Sequence, residues 1–425
     1  MRLRRHYNAD IVTKTKLSFP EHPSPSGMCS VCTMCGQCEI AKKAKTGRTL
    51  FPQPFGVAQF GAEKKIPDIN DIQILAEMWG EGYFFPEIET EVEIGGFKCS
   101  IPVAIAALGS TKVASGKADS LSEGAALAGI PRVIGENVYA SFGKEGLKRM
   151  IKPFLDNYQG KGAIVVQANV VDQKLKVPEM AVELGAHAIE LKLGQGAKQG
   201  LGGEIRFEGK ETAEKYRKYG YLVIEKEDGS YERHVNPGSI TKERLKEMLV
   251  KYSELGVPLW IKVAIGRGLS ELLEELEKIK KEEKVPLECV TIDGHGGGTG
   301  MSPWLIMNET CFSSLSILPK IREMKPDFDV LVAGGLTSGI DVAKAMMLGA
   351  DGAAMGRAML IASATNGSEG IVNFVKALKE ELQMIATIQR VKHVSQLKGR
   401  VQNLLALTEE AGRAFGIEYD SKKII

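Results

Sequence analysis

Asp293-Gly-His-Gly-Gly-Gly-Thr-Gly-Met-Ser-Pro303 follows the short apolar run Cys289-Val-Thr-Ile292, which has the character of a buried strand. Glycines at 296, 297, 298 and 300 leave the loop almost bare, so its backbone can approach a flat or phosphorylated ligand and take positive φ. Two further strand ends repeat the design. Val330-Leu-Val-Ala-Gly-Gly335 closes on a glycine pair before a helix that starts near Ser338, and Asp351-Gly-Ala-Ala-Met-Gly-Arg357 comes one strand and one helix later. Bare N–H groups at successive helix starts make a phosphate site. In a β/α barrel that site lies after the last two strands.

Upstream of this stretch, strand-like and helical runs alternate from Ile101. Strands are expected at 101–107, 132–134, 163–168, 188–193, 259–264, 290–292, 330–333 and 352–355. Helical patterns at 121–128, 144–158, 178–184, 242–255, 269–281 and 339–348 separate them. Eight such units fit a closed (β/α)8 TIM barrel over residues 101–366. An open dinucleotide-binding sheet would carry G-x-G-x-x-G after its first strand, and none is present. Residues 1–100 form an extension of different rhythm, residues 194–238 a long insertion suited to a lid, and residues 367–425 a C-terminal helical segment.

The 425 residues are 44% hydrophobic and 25% charged, with net charge +2, as in a soluble globular protein without a nucleic-acid footprint. No apolar run is long enough for a membrane span, and the N-terminus lacks a signal core, so the expected location is cytoplasmic. Lys and Glu on the helices hint at heat adaptation. Four of the seven cysteines, Cys29, Cys32, Cys35 and Cys38, repeat at C-x2-C-x2-C-x2-C. Three thiolates at this spacing wrap an iron–sulfur cluster, [4Fe–4S] foremost with 3Fe–4S as a variant, whereas zinc prefers two separated knuckles. Cys99, Cys289 and Cys311 stand alone, as small core residues do.

Polar residues expected at the barrel mouth are Glu136, Gln167, Lys192, Gln195, Lys198, Lys262, Asp293 and His295. Lys262 lies inside the apolar strand Trp260-Ile-Lys-Val263 and must meet a counter-charge or an anionic ligand. Either a salt bridge within the barrel or an anionic reduced flavin would satisfy it. Lys192 and Lys198 flank Gln195 and suit a substrate carboxylate.

These segments resemble the flavin-binding synthase domain of glutamate synthase, from about 102 to 362. Lys192-Leu-Gly-Gln-Gly-Ala-Lys198 with Gly202-Gly203 is similar to the family's K-x-x-Q-G-A-K-P-G-x-G-G loop. The Asp293 to Pro303 loop is similar to its G-H-D-G-G-T-G-A-S-P, and Ala333-Gly-Gly-Leu-Thr-Ser-Gly-Ile-Asp341 to its D-G-G-L-x-T-G-x-D. The resemblance implies a barrel that binds FMN and passes a hydride to 2-iminoglutarate or a related 2-oxo acid or amino acid. Gln167, Gln195 and Lys262 would meet the ring. Gly296, Gly297, Gly334, Gly335, Gly356 and Arg357 would hold the cofactor and its phosphate. Lys192, Lys198, Glu136 and Lys262 would serve catalysis.

The departures matter as well. The family's cysteines after the last strand are replaced by Ile361-Ala-Ser-Ala-Thr365, so the N-terminal run takes over the cluster. Its G-E-G-G reads Gly135-Glu-Asn-Val138, and Glu204 stands where a neutral group is usual, opposing a dicarboxylate substrate. No glutaminase or nicotinamide-binding segment is recognisable. Electrons are therefore expected from a partner through the cluster, ammonia from solution or a separate glutaminase subunit, and assembly as a homo- or hetero-oligomer. Rival readings are an N-methylglutamate synthase-type subunit, an electron-relay flavoprotein, and an unrelated FMN barrel with a structural metal.

Overall fold

The computed structural model describes Ala41, Ala44, Lys45, Gly47 and residues 66–196, 204–227, 229–294, 310 and 312–423, with backbone only at 112 and 204–206. Its first strands are β1 (Ile72–Ile74) and the hairpin β2 (Val92–Ile94) and β3 (Phe97–Cys99). The repeating part opens with β4 (Val103–Leu108), a short helix α1 (Lys112–Ser115) and α2 (Ala118–Ala128). It continues through β5 (Arg132–Ile134), α3 (Val138–Asp156), β6 (Ile164–Ala168), α4 (Val170–Lys174), α5 (Val177–Glu183) and β7 (Ala188–Lys192).

An insertion follows, made of β8 (Glu204–Phe207), α6 (Lys210–Lys218), β9 (Leu222–Glu225) and β10 (Tyr231–His234). The repeat then resumes with α7 (Lys242–Ser253), β11 (Leu259–Ala264), α8 (Leu269–Glu283), β12 (Leu287–Asp293), α9 (Leu318–Met324), β13 (Asp329–Ala333), α10 (Gly339–Leu348), β14 (Gly352–Met355) and α11 (Arg357–Ile388). The chain closes on β15 (Leu404–Ala406) and α12 (Glu409–Phe415).

Strands β4, β5, β6, β7, β11, β12, β13 and β14 form one closed parallel barrel, the (β/α)8 architecture expected from the sequence. Side-chain alternation builds it from two apolar sets. Val103, Ile105, Ile189, Ile261 and Val330 pack outward against the helices. Ala104, Val133, Val165, Ala188, Trp260, Cys289 and Leu331 fill the interior. The helices answer with stripes of their own, such as Leu269, Leu273, Leu276 and Ile279 of α8, spaced to share one face. The β2–β3 hairpin plugs the N-terminal end. The Trp260 indole N–H donates to Gly95 O at 3.1 Å. A side chain at Gly95 (φ +55°) would strike that ring at 2.4 Å.

With the bottom plugged by Trp260 and the hairpin, the barrel opens at the other end. There the insertion folds as an antiparallel sheet, β8–β10–β9, over an aromatic cluster. Arg233 lies buried between the rings of Tyr216 and Tyr221, 4.6 Å from each. The C-terminal segment after residue 366 holds the second part of α11 and the short helix α12. Helix α11 runs from 357 to 388 across a break at Asn366–Gly367, and β15 pairs antiparallel with β1 on the far side of the chain.

Candidate active site

The helix starts that follow β13 and β14 differ in their chemistry. At α10, Ser338 and Asp341 form a capping box, and the Asp341 carboxylate accepts from Thr337 N at 2.9 Å and Ser338 N at 3.1 Å. Gly339 N donates to Glu381 Oε2 at 2.6 Å. Carboxylates already occupy this terminus. At α11 the N-cap is Gly356, with no side-chain cap. A Cβ placed on Gly356 would meet nothing closer than Ala106 Cβ at 3.8 Å. Open space therefore faces the uncapped helix start, where the partial positive charge of the helix favours an anion.

Gly334 (φ +120°) and Gly335 (φ +84°) turn the chain at the end of β13 in a conformation that favours glycine. A Cβ on Gly334 would come within 3.1–3.2 Å of the Gly294 backbone, so the ends of β12 and β13 touch directly. Together these ends line one pocket with Ala106, Leu108, Gln195, Lys262, Thr337 and Arg357. An open helix start at one side and a buried cation at the other suit a flat aromatic bearing a phosphate, which is the chemistry of FMN.

The barrel floor beneath that pocket is polar. Lys262 is buried, and its Nζ lies 3.3 Å from Asp293 Oδ2. Burial alone would lower the Lys262 pKa, but Asp293 and Glu190 overcome it and leave the ammonium favoured. The salt bridge expected as one way to satisfy Lys262 is therefore present. Asp293 Oδ2 also accepts from Gly196 N at 3.2 Å. Gln167 Nε2 donates to Glu190 Oε1 at 2.5 Å, and Thr291 Oγ1 to Glu190 Oε2 at 3.4 Å. Burial raises the Glu190 pKa, and Lys262 and Gln167 pull against it.

Lys192 is held as well. Its Nζ reaches Glu136 Oε1 at 2.5 Å and Gln195 Oε1 at 2.8 Å. The other Glu136 oxygen accepts from Asn169 Nδ2 at 2.8 Å. Asn169 caps α4 and bonds to Asn137, whose carbonyl also accepts from Tyr221 OH at 2.7 Å. Asp172 accepts from Asn137 N at 3.0 Å, and burial pushes its pKa up to about 7. A chain of side chains thus joins the insertion to the lysine at the mouth.

The structure brings together Glu136, Gln167, Lys192, Gln195, Lys262, Gly334, Gly335, Gly356 and Arg357 around this mouth. Lys198, His295, Gly296, Gly297 and the cluster cysteines Cys29, Cys32, Cys35 and Cys38 lie outside the described residues, as does the Glu204 side chain. Cys99 and Cys289 are buried and unbridged, with thiol pKa values raised by burial. Glu190, Asn169, Asp172 and Tyr221 are absent from the sequence expectation. For Glu190 a signal exists, because Ile189-Glu-Leu-Lys192 puts it two residues before Lys192 and so on the same inward face. Among the described residues no helix is long and apolar enough to cross a membrane.

Comparison with known proteins places this geometry. Residues 277–403, which run from the end of α8 through β12, β13, β14 and the whole of α11, match the family of FMN-dependent dehydrogenases. The L-lactate dehydrogenase (cytochrome) of Saccharomyces cerevisiae is 29% identical over 151 residues, 35% of this chain and 24% of that protein. The archaeal-type glutamate synthase (NADPH) of Thermotoga neapolitana is 26% identical over 274 residues, 62% of this chain and 49% of that protein. The chain thus spans about half or less of the length of these curated relatives. Flavocytochrome b2 with sulfite bound superposes with a TM-score of 0.57 at 18% identity, over 84% of this chain and 81% of that one. A mandelate oxidase structure gives 0.53 at 16%, over 78% and 87%. At these identities the structures establish the fold alone: a (β/α)8 barrel of the kind that FMN enzymes use, whose glycine-rich strand ends fall within the stretch that matches the FMN-dependent dehydrogenases.

Proposed function

We propose that this chain is an FMN-dependent oxidoreductase of the glutamate synthase type, reducing an imine or 2-oxo acid. The observation that carries it is the pairing of an uncapped, glycine-started α11 with Lys262, buried across the same pocket. The first suits a phosphate, and the second suits an electron-rich ring. FMN, when bound, supplies a hydride acceptor and donor. The protein contributes placement: Gly334, Gly335, Gly356 and Arg357 at the phosphate, with Gln167, Gln195 and Lys262 toward the ring.

The substrate class rests on the Lys192-to-Lys198 motif and on the extent of the glutamate synthase match, 274 residues against 151 for the lactate dehydrogenase. Lys192 is neutralised by Glu136 and held by Gln195, so it supplies a hydrogen-bond donor of fixed direction more than a free cation. A substrate carboxylate then falls to Lys198. Cys29, Cys32, Cys35 and Cys38 would carry an iron–sulfur cluster that receives electrons from a partner protein, with a separate glutaminase subunit as the source of ammonia.

A second reading, oxidation of a 2-hydroxy acid, is favoured by the match to FMN-dependent dehydrogenases. One anaerobic experiment separates the two. Photoreduced protein is mixed with 2-oxoglutarate and ammonia, then with other 2-oxo acids and amines, while oxidised protein is mixed with 2-hydroxy acids. Reoxidation by an oxo acid with an amine supports the proposal. Bleaching by a 2-hydroxy acid, with no reoxidation by any imine-forming pair, replaces it with the second reading. Iron and acid-labile sulfide in stoichiometric amounts support the cluster; zinc without sulfide removes it.

A further inference from the structure

Glu190 is a carboxylic acid sealed inside the barrel, one layer beneath the pocket, and the proposed function gives it no task. It is 1% exposed. Both neighbouring strands, β6 and β11, and β12 beyond β11, bring polar groups to it. Gln167 on β6 donates at 2.5 Å and Thr291 on β12 at 3.4 Å. Lys262 on β11 and Lys192 on its own strand act on it through charge. Lys262 also faces Asp293 on β12, and Lys192 faces Glu136 beyond β5. Glu190 thus stands behind two of the three residues assigned to the ring, Gln167 and Lys262.

Two consequences follow from elementary chemistry. While Glu190 is ionised it only accepts hydrogen bonds, so Gln167 turns its NH2 to Glu190 and its carbonyl away from it. Once protonated, Glu190 can donate. The amide then gains by reversing, with its carbonyl to Glu190 and its NH2 away from it. Charge supplies the second consequence. A reduced, anionic ring would compete with Glu190 for the Lys262 ammonium. A carboxylate deprived of its cation in a buried site protonates rather than remain charged.

We propose that Glu190 is a positioning residue that takes up a proton when the bound flavin is reduced, and that this proton reverses the Gln167 amide. The inference rests on the FMN reading above. The balance is explicit: two electrons from dithionite or a reduced mediator dye would enter with two protons, one taken by the bound flavin and one forming the O–H bond of Glu190.

The test is the midpoint potential of the flavin-loaded protein, poised with mediators between about pH 5 and pH 9, a range that brackets a raised carboxyl pKa. For a two-electron couple each proton contributes about 30 mV per pH unit. Wild type is expected to show a segment of about 59 mV per pH unit, set by two protons, where Glu190→Gln shows about 30 mV throughout. Infrared difference spectra of wild type, oxidised minus reduced, should show a protonated-carboxyl band that shifts on 13C-glutamate labelling; this needs no variant. A one-proton slope in wild type, a steep segment that persists in Glu190→Gln, or no labelled carboxyl band overturns the proposal while FMN binding stands. Protein that binds no FMN overturns the FMN reading, and this inference with it.

Discussion

Replacing Lys262 by Met tests the centre of the site in a way that separates energetics from chemistry. The substitution keeps the length of the side chain and removes its charge. Lys262 and Asp293 are both buried, 6% and 1% exposed, with 3.3 Å between charged atoms. At an effective dielectric of about 20 that separation corresponds to about 5 kcal/mol. Breaking a buried pair typically costs about 3–5 kcal/mol, because the remaining charge stays desolvated. Lys262→Met should lose that amount at pH 8, read by urea denaturation followed by far-UV circular dichroism.

The loss should shrink at pH 5. The Glu190 pKa is already raised from 4.5 by burial, and removing Lys262 takes away the largest influence that lowers it. A group whose folded pKa exceeds its unfolded value contributes stability at low pH that is lost as pH rises through the folded pKa. The variant therefore suffers most at high pH. In wild type the Lys262 pKa is raised, so its contribution is fully present at both pH values. Asp293→Asn combined with Lys262→Met should recover part of the deficit, since no unpaired carboxylate then remains at 293. A variant within about 1 kcal/mol of wild type at pH 8, or one with equal loss at both pH values, would refute the account of a buried, charge-compensated lysine.

Gly356→Leu should leave stability within about 1 kcal/mol, because its φ is negative and the space before it is open. It should weaken FMN binding at least tenfold, about 1.4 kcal/mol, in a flavin-fluorescence titration. Tyr221→Phe removes the donor to Asn137 Oδ1, worth about 1 kcal/mol. Amide exchange should then rise in 204–234 and leave β11 and β12 unaffected.

Much of the barrel is legible in the chain because its strands are continuous apolar runs bounded by glycine or proline. The expected limits at 132–134, 259–264 and 352–355 are those observed. β12 extends further back, to Leu287, because Glu288 interrupts the apolar run while its carboxylate turns outward to Lys280. The insertion hides its sheet in solvent-facing residues: Leu222 and Ile224 are exposed while Val223 is buried. At the site, glycine-rich ends and lone lysines are visible as types, but the partner of each lysine is not. Glu136 meets Lys192 across 56 positions, and Asp293 meets Lys262 across 31, so only folding reveals that both cations are compensated. Asp172 acquires its raised pKa wholly from burial and a neighbour on another loop.

The ring of strands has one closure that joins distant parts of the chain: β14 against β4, pairing Ala353 with Val103 and Met355 with Ile105. Contacts at that separation are slow to form, since a long stretch of chain must be ordered before they are gained. The same two strands end in the residues that receive the proposed flavin, Ala106 to Leu108 on one side and Ala354 to Gly356 on the other. Assembly and loading are thereby linked. A ligand at a hundred times its dissociation constant adds about 2.7 kcal/mol to the closed ring. With the proposed flavin scarce during synthesis, more of the chain is expected to be lost to proteolysis, so that want of cofactor would be felt as loss of the protein itself.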